Sequence, residues 1–102
     1  MQSDCSYAEL FALRVLGDSM EPEFPHGAII IVEPADACRD GSYVVADYDG
    51  ETWFRQFIVH EGREFLRPLN EEYPLLELTR AYQIRGIVVQ QSYRRTRKHY
   101  QV

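Results

Sequence analysis

The stretch Gly17-Asp18-Ser19-Met20-Glu21-Pro22-Glu23-Phe24-Pro25-His26-Gly27 holds the residues best suited to chemistry. Its prolines and glycines mark a sharp loop. A serine that follows Gly-Asp in such a loop exposes its hydroxyl beside free backbone N–H groups. That pairing supplies a nucleophile and an oxyanion hole together. On spacing alone, an ordinary turn residue is the plainer reading of Ser19. A serine nucleophile also needs a base. His26 lies in the same loop, and His60 closes a later strand; the plain reading of His26 is a solvated loop side chain. The chain's one lysine, Lys98, sits near its end and would have to fold back to reach Ser19.

The elements that position this loop read as short strands. Phe11, Leu13 and Val15 alternate with Ala12, Arg14 and Leu16, which has the period of a strand feeding the loop. Ala28 to Glu33 is an apolar, β-branched run that suits a strand buried on both faces. Ser42 to Tyr48 and about Thr52 to His60 flank Asp49-Gly50, a strong hairpin signal because a tight type I′ turn needs positive φ at both central residues. The second of these strands ends at Glu61-Gly62. Phe65 to Pro68 is short and extended, and a loop follows through Asn70, Tyr73 and Pro74. Tyr82 to Gln91 is a last strand. No repeat and no long helix is expected. The spacing predicts a mostly-β domain of short mixed strands, divided into an N-terminal segment (1–10), a folded body (11–91) and a basic tail (92–102).

Bulk composition bounds the function. The 102 residues are 45% hydrophobic and 13% aromatic, enough for one core and one domain. The formal net charge of −5 argues against a general nucleic-acid binder. Arg94, Arg95, Arg97 and Lys98 nevertheless make the tail basic, and with Tyr93, His99 and Tyr100 they resemble a small contact for nucleic acid or an acidic partner. The alternative is a solvated, frayed terminus, dispensable for folding. Cys5 and Cys38 lack metal-site spacing and no histidine cluster accompanies them, so no metal or cofactor is expected. Their redox state stays open. No apolar run is long enough for a membrane span and no signal peptide opens the chain, so a cytoplasmic protein is expected. Trp53, Phe54 and Phe57 are expected to pack on the two faces of the sheet.

Gly17-Asp18-Ser19-Met20-Glu21-Pro22, then Gly27 and an apolar strand, resembles the nucleophile motif of the LexA/UmuD-type Ser–Lys peptidases. Type I signal peptidases share a shorter Ser-Met version. The likeness continues through Arg39-Asp40-Gly41, Asp49-Gly50, Arg67-Pro68-Leu69-Asn70 and Tyr73-Pro74, and closes at Gly86-Ile87-Val88-Val89. It covers roughly residues 11–90 in order. The resemblance implies the mostly-β fold shared by LexA and signal peptidases. It makes Ser19 the nucleophile position, with backbone N–H groups of Asp18 and Ser19 as the oxyanion hole and Gly17, Met20, Pro22 and Gly27 as motif support. It also implies a homodimer, with Ile87 to Val89 as an apolar edge that needs covering.

Two positions depart from the family pattern. Ala28 stands where the family often has aspartate. Arg55 aligns with the catalytic lysine, on the strand after the Asp-Gly hairpin. A buried lysine can lose its proton near neutral pH, but a guanidinium is effectively always charged. The expected arrangement is therefore an Arg55 half-buried against Asp18, Glu21 or another acid, and a catalytically impaired protein. The family's usual act, cutting its own chain at a small-residue–Gly bond before the serine, finds only Gly17 in the preceding residues. No DNA-binding domain is expected either. The resemblance thus implies a dimerising regulatory or interaction module in DNA-damage (SOS) or phage-type regulation, with protein or peptide partners. The alternatives are an active serine endopeptidase with an unrecognised base, and a nucleic-acid accessory acting through the tail.

Overall fold

A computed structural model describes residues 9–101. Eight strands form one sheet: β1 (Phe11–Arg14), β2 (Ile29–Pro34), β3 (Tyr43–Tyr48), β4 (Glu51–His60), β5 (Arg63–Arg67), β6 (Leu76–Glu77), β7 (Tyr82–Tyr93) and β8 (Thr96–His99). The sheet order is β1-β2-β7-β3-β4-β5-β6, and β8 pairs with β7 beyond the end of β3. The mostly-β, short-stranded class read from the sequence is what forms, with antiparallel pairing at every described ladder instead of a mixture. No helix forms among the described residues.

Turn chemistry sets the register. Asp49 and Gly50 both have positive φ, 54° and 81°, and join β3 to β4 with Tyr48 opposite Glu51. Glu61 and Gly62 repeat the device between β4 and β5. These left-handed dihedrals match the twist of the flanking strands. At Gly86 the reason is space: a Cβ there would lie 2.8 Å from the Glu33 carbonyl oxygen, and it would also meet Val32. β7 can approach β2 this closely only without a side chain at that position.

The core divides between the two faces of β3. Tyr43 and Val45 pack with Val15, Met20, Phe24, Ala28, Ile30, Val32 and Val88, while Val44, Ala46 and Tyr48 pack with Phe57, Leu66, Ile84 and Ile87. Phe54 joins the first group and Trp53 the second, so the β4 aromatics do serve both faces. The strand buried on both faces is thus β3. In β2, the sequence's candidate for that role, only Ile30 and Val32 are fully buried, because the other face carries no second layer. Ile87 and Val88 are buried as well, since β7 lies between β2 and β3; they do not form an uncovered edge.

The tail departs most from expectation. β7 runs through Tyr93 without a break at the anticipated boundary, and Arg94-Arg95 turns the chain into β8. Tyr100 then lays its ring 5.4 Å from both Phe24 and Tyr43. Its hydroxyl donates to Glu23 Oε2 at 2.6 Å and accepts from Gln91 Nε2 at 2.8 Å. Burial, then the Glu23 bond, holds the phenol proton well above the ordinary tyrosine range. Basic composition disguised a packed hairpin. Aromatic pairs contribute about 0.5–1.5 kcal/mol beyond their buried area, and about 1 kcal/mol moves the melting point of a domain this size by roughly 4–8 °C. Deleting residues 94–102 is therefore expected to lower the melting temperature by at least about 5 °C in a thermal denaturation curve. An unchanged curve would show that the hairpin contributes nothing.

Candidate functional site

The Ser19 loop is held from three sides. From below, Met20 and Phe24 are fully buried in the core, with the Phe24 N–H donating to the Met20 carbonyl at 2.9 Å. Phe24 sits edge-on to Tyr43 and Phe54, 4.8 and 5.0 Å between ring centres. From one flank the β7–β8 hairpin grips Glu23: Gln91 donates to its carbonyl at 3.0 Å, and Lys98 meets its carboxylate at 3.2 Å. From above, the loop after β5 straps the serine. Asn70 N–H donates to the Ser19 carbonyl at 3.1 Å, Asn70 Nδ2 to the Asp18 carbonyl at 3.2 Å, and Tyr73 Oη to Asp18 Oδ1 at 2.5 Å. Gly17 and Gly27 take φ of 84° and 93° at the two ends of the loop, where the chain turns out of and back into the sheet. Pro22 lies on the outer wall, facing the tail hairpin. Ala28 is fully buried in the core, where an unpaired aspartate carboxylate would be costly.

This scaffold brings Ser19 to Arg55. Arg55 Nη1 donates to Ser19 Oγ at 3.0 Å and to the Phe54 carbonyl at 2.8 Å. The guanidinium carbon lies 5.2 Å from the centre of the Trp53 ring. Arg55 is only 9% exposed, and its Nε is buried with no hydrogen-bond partner. Burial lowers its pKa from the ordinary arginine value. The anticipated ion pair does not form: no carboxylate reaches the guanidinium among the described residues. Asp18, the acid expected there, is turned to the Tyr73 hydroxyl instead.

The other candidate bases are engaged elsewhere. His26 Nδ1 accepts the Gly17 N–H at 2.7 Å, so the histidine staples the loop ends. His60 pairs with Glu61 at 3.8 Å and lies five residues along β4 from Arg55, about 17 Å at strand rise. Lys98 is held by Glu23. Among the described residues, nothing accepts from the N–H groups of Asp18 or Ser19, the pair anticipated as the oxyanion hole. Arg94, Arg95 and Arg97 are exposed on the tail hairpin, away from the serine. Asn70, Tyr73 and Trp53 shape the site through contacts that no local spacing announces.

A cleft of about 360 Å³ opens over Ser19 and Arg55. One wall is the end of β1 and its continuation, Leu13 to Leu16, and the other is the first half of β4, Glu51 to Arg55. Because β5 pairs with β4 only from Gln56 onward, the outer edge of that first half is unpaired within the sheet. No cluster of His, Cys, Asp and Glu able to hold a metal occurs among the described residues.

Cys5 lies outside the described residues. Cys38 is a free thiol, half-buried against the second core group. Burial, with Glu64 adding to it, pushes its pKa up to about 11. The thiolate is the reactive form, so at pH 8 Cys38 presents roughly two-hundredfold less of it than a free cysteine of pKa ~8.5. In a Cys5→Ser variant, alkylation of Cys38 by iodoacetamide is expected to be slower than that of free cysteine by about that factor. A rate equal to that of free cysteine would contradict the burial.

Comparison with known proteins finds sequence similarity to one family and to several repressors and regulators. The family described as Peptidase S24-like matches residues 2–89. The chain is 41% identical over 92 residues to the Repressor protein C2 of Salmonella phage P22, covering 84% of this chain and 42% of that protein. It is 40% identical over 87 residues to the HTH-type transcriptional regulator for conjugative element R391 of Providencia rettgeri, 78% of this chain and 40% of the other. A LexA repressor from Verrucomicrobium spinosum is 40% identical over 80 residues, 78% and 39% of the two chains. The chain thus spans about two fifths of the length of these relatives.

Proposed function

The chain belongs to the Peptidase S24-like family, and from that premise we propose that it is a catalytically silent member acting as a regulatory interaction module, in regulation of the DNA-damage or phage type. The direction of one hydrogen bond carries the reading. Arg55 Nη1 donates to Ser19 Oγ, whereas a general base must accept the serine proton. A guanidinium is effectively always charged in proteins. Burial lowers the pKa of Arg55 from the ordinary arginine value, but a guanidinium starts far above the working range from which burial can bring a lysine to neutrality. The names of the relatives, repressors and transcriptional regulators, support a regulatory role, and such a role fits a cytoplasmic location. For nucleic acid, the supporting observation is the exposure of Arg94, Arg95 and Arg97 on one hairpin, with Lys98 given to Glu23.

Wild-type protein is expected to resist a fluorophosphonate probe from pH 7 to 10, since an ordinary lysine deprotonates in that range and a guanidinium does not. Arg55→Lys supplies a side chain that burial can make neutral. Ser19 is then expected to label, at a rate that rises with pH as the lysine loses its proton. Catalytic groups displaced by ~1 Å lose ~100-fold in rate, so partial activity is the expected level. The double variant Ser19→Ala with Arg55→Lys is expected to stay unlabelled. Labelling of wild type at Ser19, unchanged by Arg55→Lys, would refute the silent reading.

The homodimer is part of the same proposal, on a different edge from the one the sequence pointed to. β1 pairs with β2 on one side only, and Leu10, Phe11 and Leu13 on it are exposed. An uncovered apolar strand edge invites pairing with a second copy. Light scattering at tens of micromolar is expected to give twice the 12.0 kDa chain mass, and Phe11→Lys with Leu13→Lys to return it to monomer. A monomer at that concentration in wild type would remove the dimer.

A further inference from the structure

Arg55 is a buried cation with no anionic partner among the described residues. Charged side chains rarely leave water unless they are paired, yet here Nη1 is spent on two neutral oxygens and Nε on none. Nη2 makes no hydrogen bond among the described residues and, unlike Nε, is not sealed from the cleft. The Trp53 ring offsets only part of the desolvation. Ser19 Oγ accepts from Arg55, so its own proton is free to be donated. The N–H groups of Asp18 and Ser19 lie in the same turn, with no acceptor among the described residues. Ser19 and Arg55 both line the cleft, and a cation beside a hydroxyl proton is a pair well matched to an acceptor-rich anion.

The cleft selects the form of that anion. Leu13, Leu16, Ile30, Trp53 and Phe54 give its lining apolar patches, interspersed with the polar side chains of Arg14, Glu51 and Thr52. The outer edge of Thr52 and Phe54 is unpaired in the sheet; apart from the Phe54 carbonyl, which accepts from Arg55, it is open to backbone pairing with an extended chain. Such a chain cannot continue past Arg55, because from Gln56 the same edge is occupied by β5, with Arg67 opposite. Glu51 lines the cleft about 13 Å along β4 at strand rise, and Arg14, at the end of β1, lines it too, so Arg55 is the cation at the point where the open edge stops.

We propose that Ser19 and Arg55 form a receptor for the C-terminal carboxylate of an extended, apolar peptide segment lying along the open half of β4. Arg55 Nη2 binds one carboxylate oxygen, and the Ser19 hydroxyl with the neighbouring N–H groups binds the other. This deepens the silent-module reading and rests on it, since the receptor needs Arg55 charged and Ser19 unreacted.

The test uses the whole chain and the emission of Trp53, its only tryptophan, which stacks on the guanidinium. The probe is an acetylated tetrapeptide mixture randomised among Ala, Val, Leu and Ser, made as the free acid and as the C-terminal amide. The acid is expected to reach half-saturation at a concentration at least tenfold lower than the amide, and Arg55→Gln to abolish the difference. Equal half-saturation, or no saturable change with the acid at millimolar concentration, overturns the proposal. A third mixture, amidated and carrying one internal Glu, separates the sources of carboxylate: if it matches the acid, the site reads a side chain and the chain-end assignment fails. Should Arg55→Gln not fold, the acid-against-amide comparison on the unaltered protein decides alone. Fluorophosphonate labelling of Ser19 would end the silent reading whatever the peptides do, whereas absence of acid preference removes only the receptor.

Discussion

The contact between Arg55 Nη1 and Ser19 Oγ places a permanent positive charge at the one hydroxyl that the fold works hardest to present. The geometry around it is that of a nucleophile: a tight loop, carbonyls pinned by Asn70, and backbone donors in the same turn. The electrostatics are those of a buried guanidinium that donates to the hydroxyl. A side chain that can lose a proton turns such a cleft into a place where bonds are made and broken, and one that cannot turns it into a place where negative charge is held. The difference lies in the acid–base chemistry of a single group, and the backbone that presents it serves either use.

The remainder of the molecule keeps that pair together across the sequence. Ser19 and Arg55 share no local element. Their proximity depends on β4 pairing with β3, on Met20 and Phe24 anchoring the loop in the core, and on Asn70 and Tyr73 crossing over it. Glu23 extends the coupling to the chain's last strand through Gln91, Lys98 and Tyr100. The loop is therefore clamped by contacts from three distant stretches of chain, and each clamp is a polar bond to the backbone or carboxylate with an aromatic or aliphatic side chain packed beside it. Preorganisation of this kind reduces the ordering cost of binding.

Much of this was legible in the sequence where the cause is local. Asp49-Gly50 and Glu61-Gly62 announce turns because positive φ is a demand on the residue itself. The alternation in β1 and the apolar run of β2 announce strands for the same reason, and the order of motifs from Gly17 to Val89 pointed to the family. Tertiary contacts were harder to see. Two-residue β6 has too little pattern to register. The tail reads as solvated because its charges dominate its composition, although Tyr93 and Tyr100 pack against the core and the strand between them exposes the charges. Arg55 invited an acid partner, but Asp18 was claimed by Tyr73, a residue far along the chain whose hydroxyl no periodicity reveals. Competition between partners is decided in three dimensions.

The place of β7 has a consequence for how the chain acquires its structure. β7 bonds to β2, β3 and β8, and it is the only link between the β1–β2 pair and the β3–β4–β5–β6 meander. Synthesis reaches it late. From the end of β3 at Tyr48 to the start of β7 at Tyr82, a ribosome working at about 5–20 residues per second needs roughly two to seven seconds. Until β7 is present, the β1–β2 pair and the strands β3 to β6 each lack the neighbour that pairs their inner edge. When β7 emerges it closes both at once, around a glycine that lets it come close to β2. The sheet that holds the serine loop beside the guanidinium is therefore continuous only once β7 has paired on both sides.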